Sequence, residues 1–110
     1  MGLRKERLTD EIMTLIGECF QGGQMSDPRV DGVTVTAVKL SDDLQIATVY
    51  FRLWSGGDPE KAKAGLESAA GFLRNKLAKA LKIRRVPELR FFYDESIERA
   101  SRIEDLLSKI

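Results

Sequence analysis

"AAGFLRNKLAKALKIRRVPELRFFYD", residues 69–94, is the stretch whose reading decides the fold. Its first half propagates helix: with Leu66, the residues Ala69, Ala70, Leu73, Leu77, Ala80 and Leu81 fall on one face at about 100° per residue. Pro87 ends any helix, and Leu89, Phe91 and Tyr93 then alternate with Arg90 and Phe92 as a strand. Upstream, Asp58 is a side-chain cap followed by Pro59 and Glu60, the preferred chemistry of a first turn. The spacing therefore predicts helix over 59–82. One residue conflicts with it: Gly71 sits mid-helix at a cost of about 1 kcal/mol relative to alanine.

Working outward, "VTVTAVKLS" (33–41) and "LQIATVYFRLW" (44–54) are rich in β-branched and aromatic residues. Only Ser41, Asp42 and Asp43 separate the two apolar runs, which predicts a hairpin. In the second run Ala47, Val49, Phe51 and Leu53 alternate with Thr48, Tyr50 and Arg52. In the first, the alternation changes parity near Ala37 and Val38, where a bulge is one remedy. The loop "QMSDPRVDG" (24–32) is turn-rich, with Asp27 and Pro28 as a breaker. Before it, Leu8, Ile12, Leu15, Ile16, Cys19 and Phe20 recur at spacings of three and four, predicting an amphipathic helix over about 3–21, ended by the glycines at 22 and 23. After the third strand, Asp94 and Glu95 open a final helix with Ile97, Ala100, Ile103, Leu107 and Ile110 along one stripe.

The expected order is αββααβα, counting the 59–82 segment as two helices meeting at Gly71. An antiparallel hairpin and a long helical crossover to a third strand predict an α+β fold, with a three-stranded mixed sheet and helices on one face. At 110 residues, 43% hydrophobic and 32% charged, the chain is expected to form one domain over 1–110. No apolar run approaches the ~18 residues of a membrane span, and "MGLRKERLTDEI" lacks the apolar core of a secretion signal, so a cytoplasmic protein is expected. Cys19 is the only cysteine and lies on an apolar stripe, which points to a buried thiol.

Histidine is absent, removing the commonest general base and the commonest zinc ligand. The carboxylate pairs Asp42–Asp43 and Glu104–Asp105 read as hairpin-turn chemistry and a polar helix face. Neither glycine pair, 22–23 or 56–57, belongs to a phosphate-binding loop pattern. No nucleophile–base pair, metal cluster or cofactor loop can be assembled, so neither an enzyme nor a cofactor or metal site is expected.

Charge is informative once divided along the chain. Residues 72–90 hold Arg74, Lys76, Lys79, Lys82, Arg84, Arg85 and Arg90 against Glu88 alone, a net of +6, leaving −5 on the remainder. A basic helix face is often just solvated, but here acids are nearly absent and the cations continue from helix through loop to strand. That pattern suits a phosphate backbone. Reversal of Lys79 and Lys82 to glutamate is the natural test of such a ridge. Arg4, Lys5 and Arg7 are diluted by Glu6, Asp10 and Glu11 and read as a solvated face. Tyr50 and Trp54, on the outward parity of the second strand, either stack bases or pack at a sheet edge.

The element order and basic helix resemble a type II KH domain. The segments "DPRVDGVTVTAVKLSDDLQIATVYF", "AAGFLRNKLAKALKIRRVPELRFFYD" and "RIEDLLSKI" are similar to the ribosome-binding factor A family of bacterial small-subunit maturation factors. "VPELRFFYD" and the Ala-x-Gly at 69–71 are the most specific parts. The resemblance implies a αββααβ fold plus a C-terminal helix, with a helix-kink-helix at Ala69, Ala70 and Gly71 in place of the KH GxxG loop. It implies a non-catalytic factor that binds the free 30S subunit and 16S rRNA late in maturation, assists processing of the rRNA 5′ end and supports growth in the cold. Its expected partners are the small subunit, 16S rRNA and other maturation factors such as assembly GTPases, with no membrane, and the protein itself a monomer. Without GxxG, affinity is expected to rest on Arg74, Lys76, Lys79, Lys82, Arg84 and Arg85, with Arg90 peripheral. The alternatives are a protein-interaction or regulatory α+β module, indifferent to RNA, and a free-standing single-stranded RNA-binding KH protein.

Overall fold

The computed structural model describes residues 2–21, 25–54 and 56–110. The elements run α1 (Gly2–Gln21), a 3-10 turn (Pro28–Val30), β1 (Val33–Leu40), β2 (Ile46–Leu53), α2 (Pro59–Leu81), β3 (Glu88–Tyr93) and α3 (Ser96–Ser108). The glycines at 22 and 23, expected to end α1, lie outside the described residues. Asp58 caps α2 as expected, its side chain accepting from the Glu60 backbone N–H, and Pro59 occupies the first turn.

The sheet order is β1-β2-β3, with β1 and β2 antiparallel and β2 and β3 parallel, the mixed sheet the crossover requires. A register shift between Val35 and Ala37 supplies the expected bulge. It lets Val33 and Val38, on either side of it, both face the core, although their separation is odd. β2 is the central strand, which rules out packing at a sheet edge as the account of Tyr50. Trp54 lies just beyond the end of β2 and is 81% exposed.

One face of the sheet carries the core: Leu40, Ala47, Val49, Phe51, Leu89 and Phe91 are buried against Ile12 and Ile16 of α1 and Leu66, Leu73 and Leu77 of α2. Cys19 is buried there too, and burial pushes its thiol pKa up. α3 is different. None of its residues is buried, so its apolar stripe is open to solvent rather than part of the helix layer.

The expected kink is absent. α2 is one α-helix through Ala69, Ala70 and Gly71, and Gly71 does not adopt a positive φ. The reason lies in the core: Leu66, Leu73 and Leu77 all reach it from one stripe, and an uninterrupted helix keeps the residues on both sides of Gly71 in register. Nor does close packing require the glycine, because a Cβ at residue 71 would have no neighbour within 4 Å. The glycine that packing does require is Gly65, where a Cβ would lie 2.9 Å from Val30 Cγ1 and 3.0 Å from Arg29 Cβ.

The first turn of α3 is tied to the sheet by charge-assisted hydrogen bonds. Arg52 donates from Nη2 to Glu98 Oε1 at 2.8 Å, and from Nη1 to Glu98 Oε2 at 3.0 Å and to the Asp94 carbonyl at 2.6 Å. The Thr36 hydroxyl, beside the bulge, donates to Asp94 Oδ2 at 2.6 Å. The Arg52 hydrogen bonds hold Glu98 at a pKa of about 2, and the Thr36 hydroxyl with the Ser96 N–H does the same for Asp94. A carboxylate whose folded pKa lies below its unfolded value stabilises the fold above the unfolded pKa, and loses that contribution as pH falls through the folded one. Glu98→Gln is therefore less stable than the native chain at pH 7. Urea unfolding at pH 7, 4 and 2 should show that difference intact at neutral pH and vanishing toward pH 2. A difference independent of pH would show that the ion pair does not anchor α3.

Candidate nucleic-acid interface

α2 ends at Lys82, which adopts a left-handed conformation (φ 54°, ψ 38°) while its N–H still bonds the Ala78 carbonyl at 3.1 Å. That cap turns the chain into the connector 83–87, which is held by two hydrogen bonds. Arg74 Nη2 donates to the Val86 carbonyl at 2.9 Å, and the Glu88 N–H donates to the Gln45 carbonyl at 2.8 Å, where β3 enters the sheet. Pro87 is buried, so the connector cannot swing freely. On the other side, Lys5 pairs with Asp42 at 2.8 Å and brings the start of α1 to the β1–β2 turn. That pair is exposed and contributes little energy; the position of α1 is set by Leu8, Ile12 and Ile16 packing on the core, and the pair marks how close its first turns come to the hairpin turn.

Between these walls runs a groove of about 1110 Å³. Arg4 and Arg7 of α1, Arg74 of α2, Arg84 and Arg85 of the connector and Arg90 of β3 all line it, against the carboxylates Glu11, Asp43 and Glu88. Arg90 is paired with Glu88 at 2.7 Å, and Arg74 spends one donor on Val86. Arg4, Arg7, Arg84 and Arg85 have no side-chain hydrogen bond or ion pair among the described residues. Asp43 is held ionised by the Ser41 hydroxyl and the Gln45 N–H, which lower its pKa.

Six arginines against three carboxylates make the groove cationic. A guanidinium presents a planar fork of donors that matches two phosphate oxygens at once and keeps its charge at any physiological pH. The site is therefore suited to a chain of phosphates rather than to an apolar ligand. Among the described residues no cluster of three metal-ligating side chains occurs, and no helix is long and apolar enough to cross a membrane.

Of the seven cations singled out in the sequence, the groove brings together Arg74, Arg84, Arg85 and Arg90, and leaves out Lys76, Lys79 and Lys82. Lys76 and Lys79 lie on the opposite flank of α2 from Arg74, the Lys76 ammonium 5.5 Å from the centroid of the exposed Phe72 ring. The continuous basic ridge is thus split into an arginine groove and a separate lysine flank. Arg4 and Arg7 were hidden in the sequence by neighbouring acids. Their spacing of three places both on one face of α1, which they share with Glu11, while Glu6 turns elsewhere, and that was the available signal.

The fold and the groove together define a class: a small α+β domain with a cationic groove lined by six arginines, suited to a polyanion. The ribosome-binding factor A family model matches residues 4–107. A ribosome-binding factor A of Leuconostoc citreum is 47% identical over 109 residues, covering 97% of this chain and 92% of the relative. The crystal structure of ribosome-binding factor A from Thermus thermophilus superposes with a TM-score of 0.73 at 31% identity, covering 81% of this chain and 93% of that one. A Thermus thermophilus ribosome-binding factor A model, fitted into a cryo-EM map of its complex with the 30S subunit, gives a TM-score of 0.68 at 30% identity, with the same coverage. The chain belongs to the ribosome-binding factor A family.

Proposed function

We propose that the protein binds the free 30S subunit by contacting 16S rRNA, as a cytoplasmic, non-catalytic factor acting late in subunit maturation. The observation that carries this reading is the arginine groove, where four guanidinium groups without an internal partner face one concave surface. The 30S complex of the Thermus thermophilus relative supports the choice of partner. Of the residues in residues 72–90, Arg74, Arg84, Arg85 and Arg90 act in the groove together with Arg4 and Arg7, while Lys76, Lys79 and Lys82 add a longer-range attraction. Holding immature rRNA in one arrangement is how such a factor assists processing of the 16S 5′ end and adaptation to cold, where misfolded RNA rearranges slowly. Sedimentation of a lysate through sucrose gradients tests the reading. The protein should travel with free 30S particles at low salt and leave them as salt rises, because displaced counterions drive phosphate binding. A protein that stays at the top of the gradient at low salt overturns it.

A further inference from the structure

The sheet face opposite the core carries the outward side chains of the three strands; the first turn of α3 is tied to its Arg52, and Lys63 of α2 reaches round to its Phe92. Tyr50 of β2 and Phe92 of β3 are register partners on this face, their ring centroids 6.3 Å apart and their planes tilted by 37°. Phe92 is 43% exposed and Tyr50 partly so. The Lys39 ammonium lies 5.6 Å from the Tyr50 ring centroid, and that of Lys63 lies 4.6 Å from the Phe92 centroid. Farther along β2, the carboxylate of Glu98 is already held by Arg52, and Glu88 at the near end of β3 is held by Arg90. Lys39 and Lys63 have no ion pair among the described residues. Asp94, two residues beyond Phe92, is an ionised carboxylate held by the Thr36 hydroxyl and the Ser96 N–H rather than by an ion pair. Counted against Lys39 and Lys63 it leaves the charge around the two rings positive by one, which favours a polyanion over an apolar protein surface that would have to desolvate both ammonium groups.

We propose that this open face is a second RNA-contacting surface, on which Phe92 and Tyr50 stack unpaired bases of a single-stranded segment while Lys39 and Lys63 hold the flanking phosphates. The proposal takes from the preceding section only that the partner is RNA. It differs from the groove in what it recognises: the arginines grip phosphates of either a single strand or a duplex, whereas ring stacking needs bases that are free of a partner. A lysine resting on an exposed ring is a weak contact, and its long flexible stem can exchange the ring for a phosphate when a base arrives. Stacking is tolerant of base identity, because every base has a π face. The surface thus adds affinity for unpaired RNA with little sequence preference.

The test uses the full chain, a fluorescein-labelled single-stranded ten-nucleotide uridine RNA and a perfectly paired duplex of similar charge, with fluorescence anisotropy as readout. Phe92→Leu keeps an apolar side chain and removes the stacking ring. It should weaken single-strand binding about tenfold and leave duplex binding within about twofold. Lys63→Gln, far less able to disturb the fold, should weaken single-strand binding severalfold and lower its salt dependence by about one phosphate contact. Equal single-strand affinity for Phe92→Leu and the native chain overturns the proposal, as does absence of single-strand binding by the native chain. A Phe92→Leu chain that loses 30S association while its oligonucleotide affinity is unchanged also overturns it, and assigns the face to a protein partner. If the native chain sediments with 30S particles but Phe92→Leu binds single strands normally, the platform fails and the ribosomal reading stands. If the native chain does not sediment with them, that reading fails separately.

Discussion

Reversing Arg84 and Arg85 together to glutamate lowers affinity for the 30S subunit on the order of 100-fold near 0.1 M salt, and reduces the slope of log affinity against log salt by about two. Both residues sit in the connector between α2 and β3, are exposed, and have no internal hydrogen bond or ion pair among the described residues. With the groove as the proposed phosphate surface, the reversal would remove two contacts and add repulsion without unmaking anything that holds the fold. The comparison is Lys76→Glu with Lys79→Glu, which makes the same change in net charge on the other flank of α2. Long-range attraction falls equally in both pairs, so any difference between them measures contact in the groove. The lysine pair should lose less than a tenth as much affinity, read by gradient co-sedimentation or by fluorescence titration with purified 30S particles. Equal losses would show that net charge alone governs binding and that the groove is not the contact surface.

Replacing Gly65 with valine costs the fold about 2–3 kcal/mol, whereas replacing Gly71 with alanine gains about 0.5–1 kcal/mol. At Gly65 the first added carbon would meet Val30 Cγ1 at 2.9 Å and Arg29 Cβ at 3.0 Å, neither of them the end of a flexible chain. The 3-10 turn that carries both must move, and Val30 is buried, so its displacement opens the core it fills. Better helix propensity offsets only a few tenths of a kcal/mol of this. At Gly71 the backbone is helical, the surroundings are open, and alanine removes the conformational entropy that glycine costs in the unfolded chain. Urea midpoints at neutral pH measure both. A neutral Gly65→Val would show that the turn carrying Arg29 and Val30 gives way without cost, and a destabilised Gly71→Ala would show that helix propensity does not set the effect at that position. A Gly71→Ala chain that is more stable but binds 30S particles less well would locate a use for the glycine on the RNA side of the helix.

The two glycines also mark where reading a sequence stops being sufficient. Gly71 drew attention because it interrupts a run of strong helix formers, a purely local signal. Gly65 lies in the same helix and gives no local sign of its role, which depends on how closely the segment around Val30 approaches from 35 residues away. The arginines behave in the same way. Arg74, Arg84, Arg85 and Arg90 are near neighbours in the chain and were legible as one cluster; Arg4 and Arg7 join them only because α1 lies beside the hairpin turn that faces the connector. Trp54 and Tyr50 share a parity, yet the ring that actually pairs with Tyr50 is Phe92, brought there by the parallel register of β2 and β3.

By itself, the sequence determined the elements, the bulge within about a residue, the buried Cys19, the mixed sheet and the basic character of residues 72–90. Periodicity, capping residues, proline and local charge act over a few residues, and a crossover helix after a hairpin leaves little freedom in sheet topology. The tertiary structure alone decided that α2 runs unbroken, that α3 leaves its apolar stripe uncovered, which glycine is sterically required and which cations converge on one groove. Each of these depends on the approach of residues far apart in the chain, and side chains of identical type and spacing acquire different roles according to what packing places opposite them.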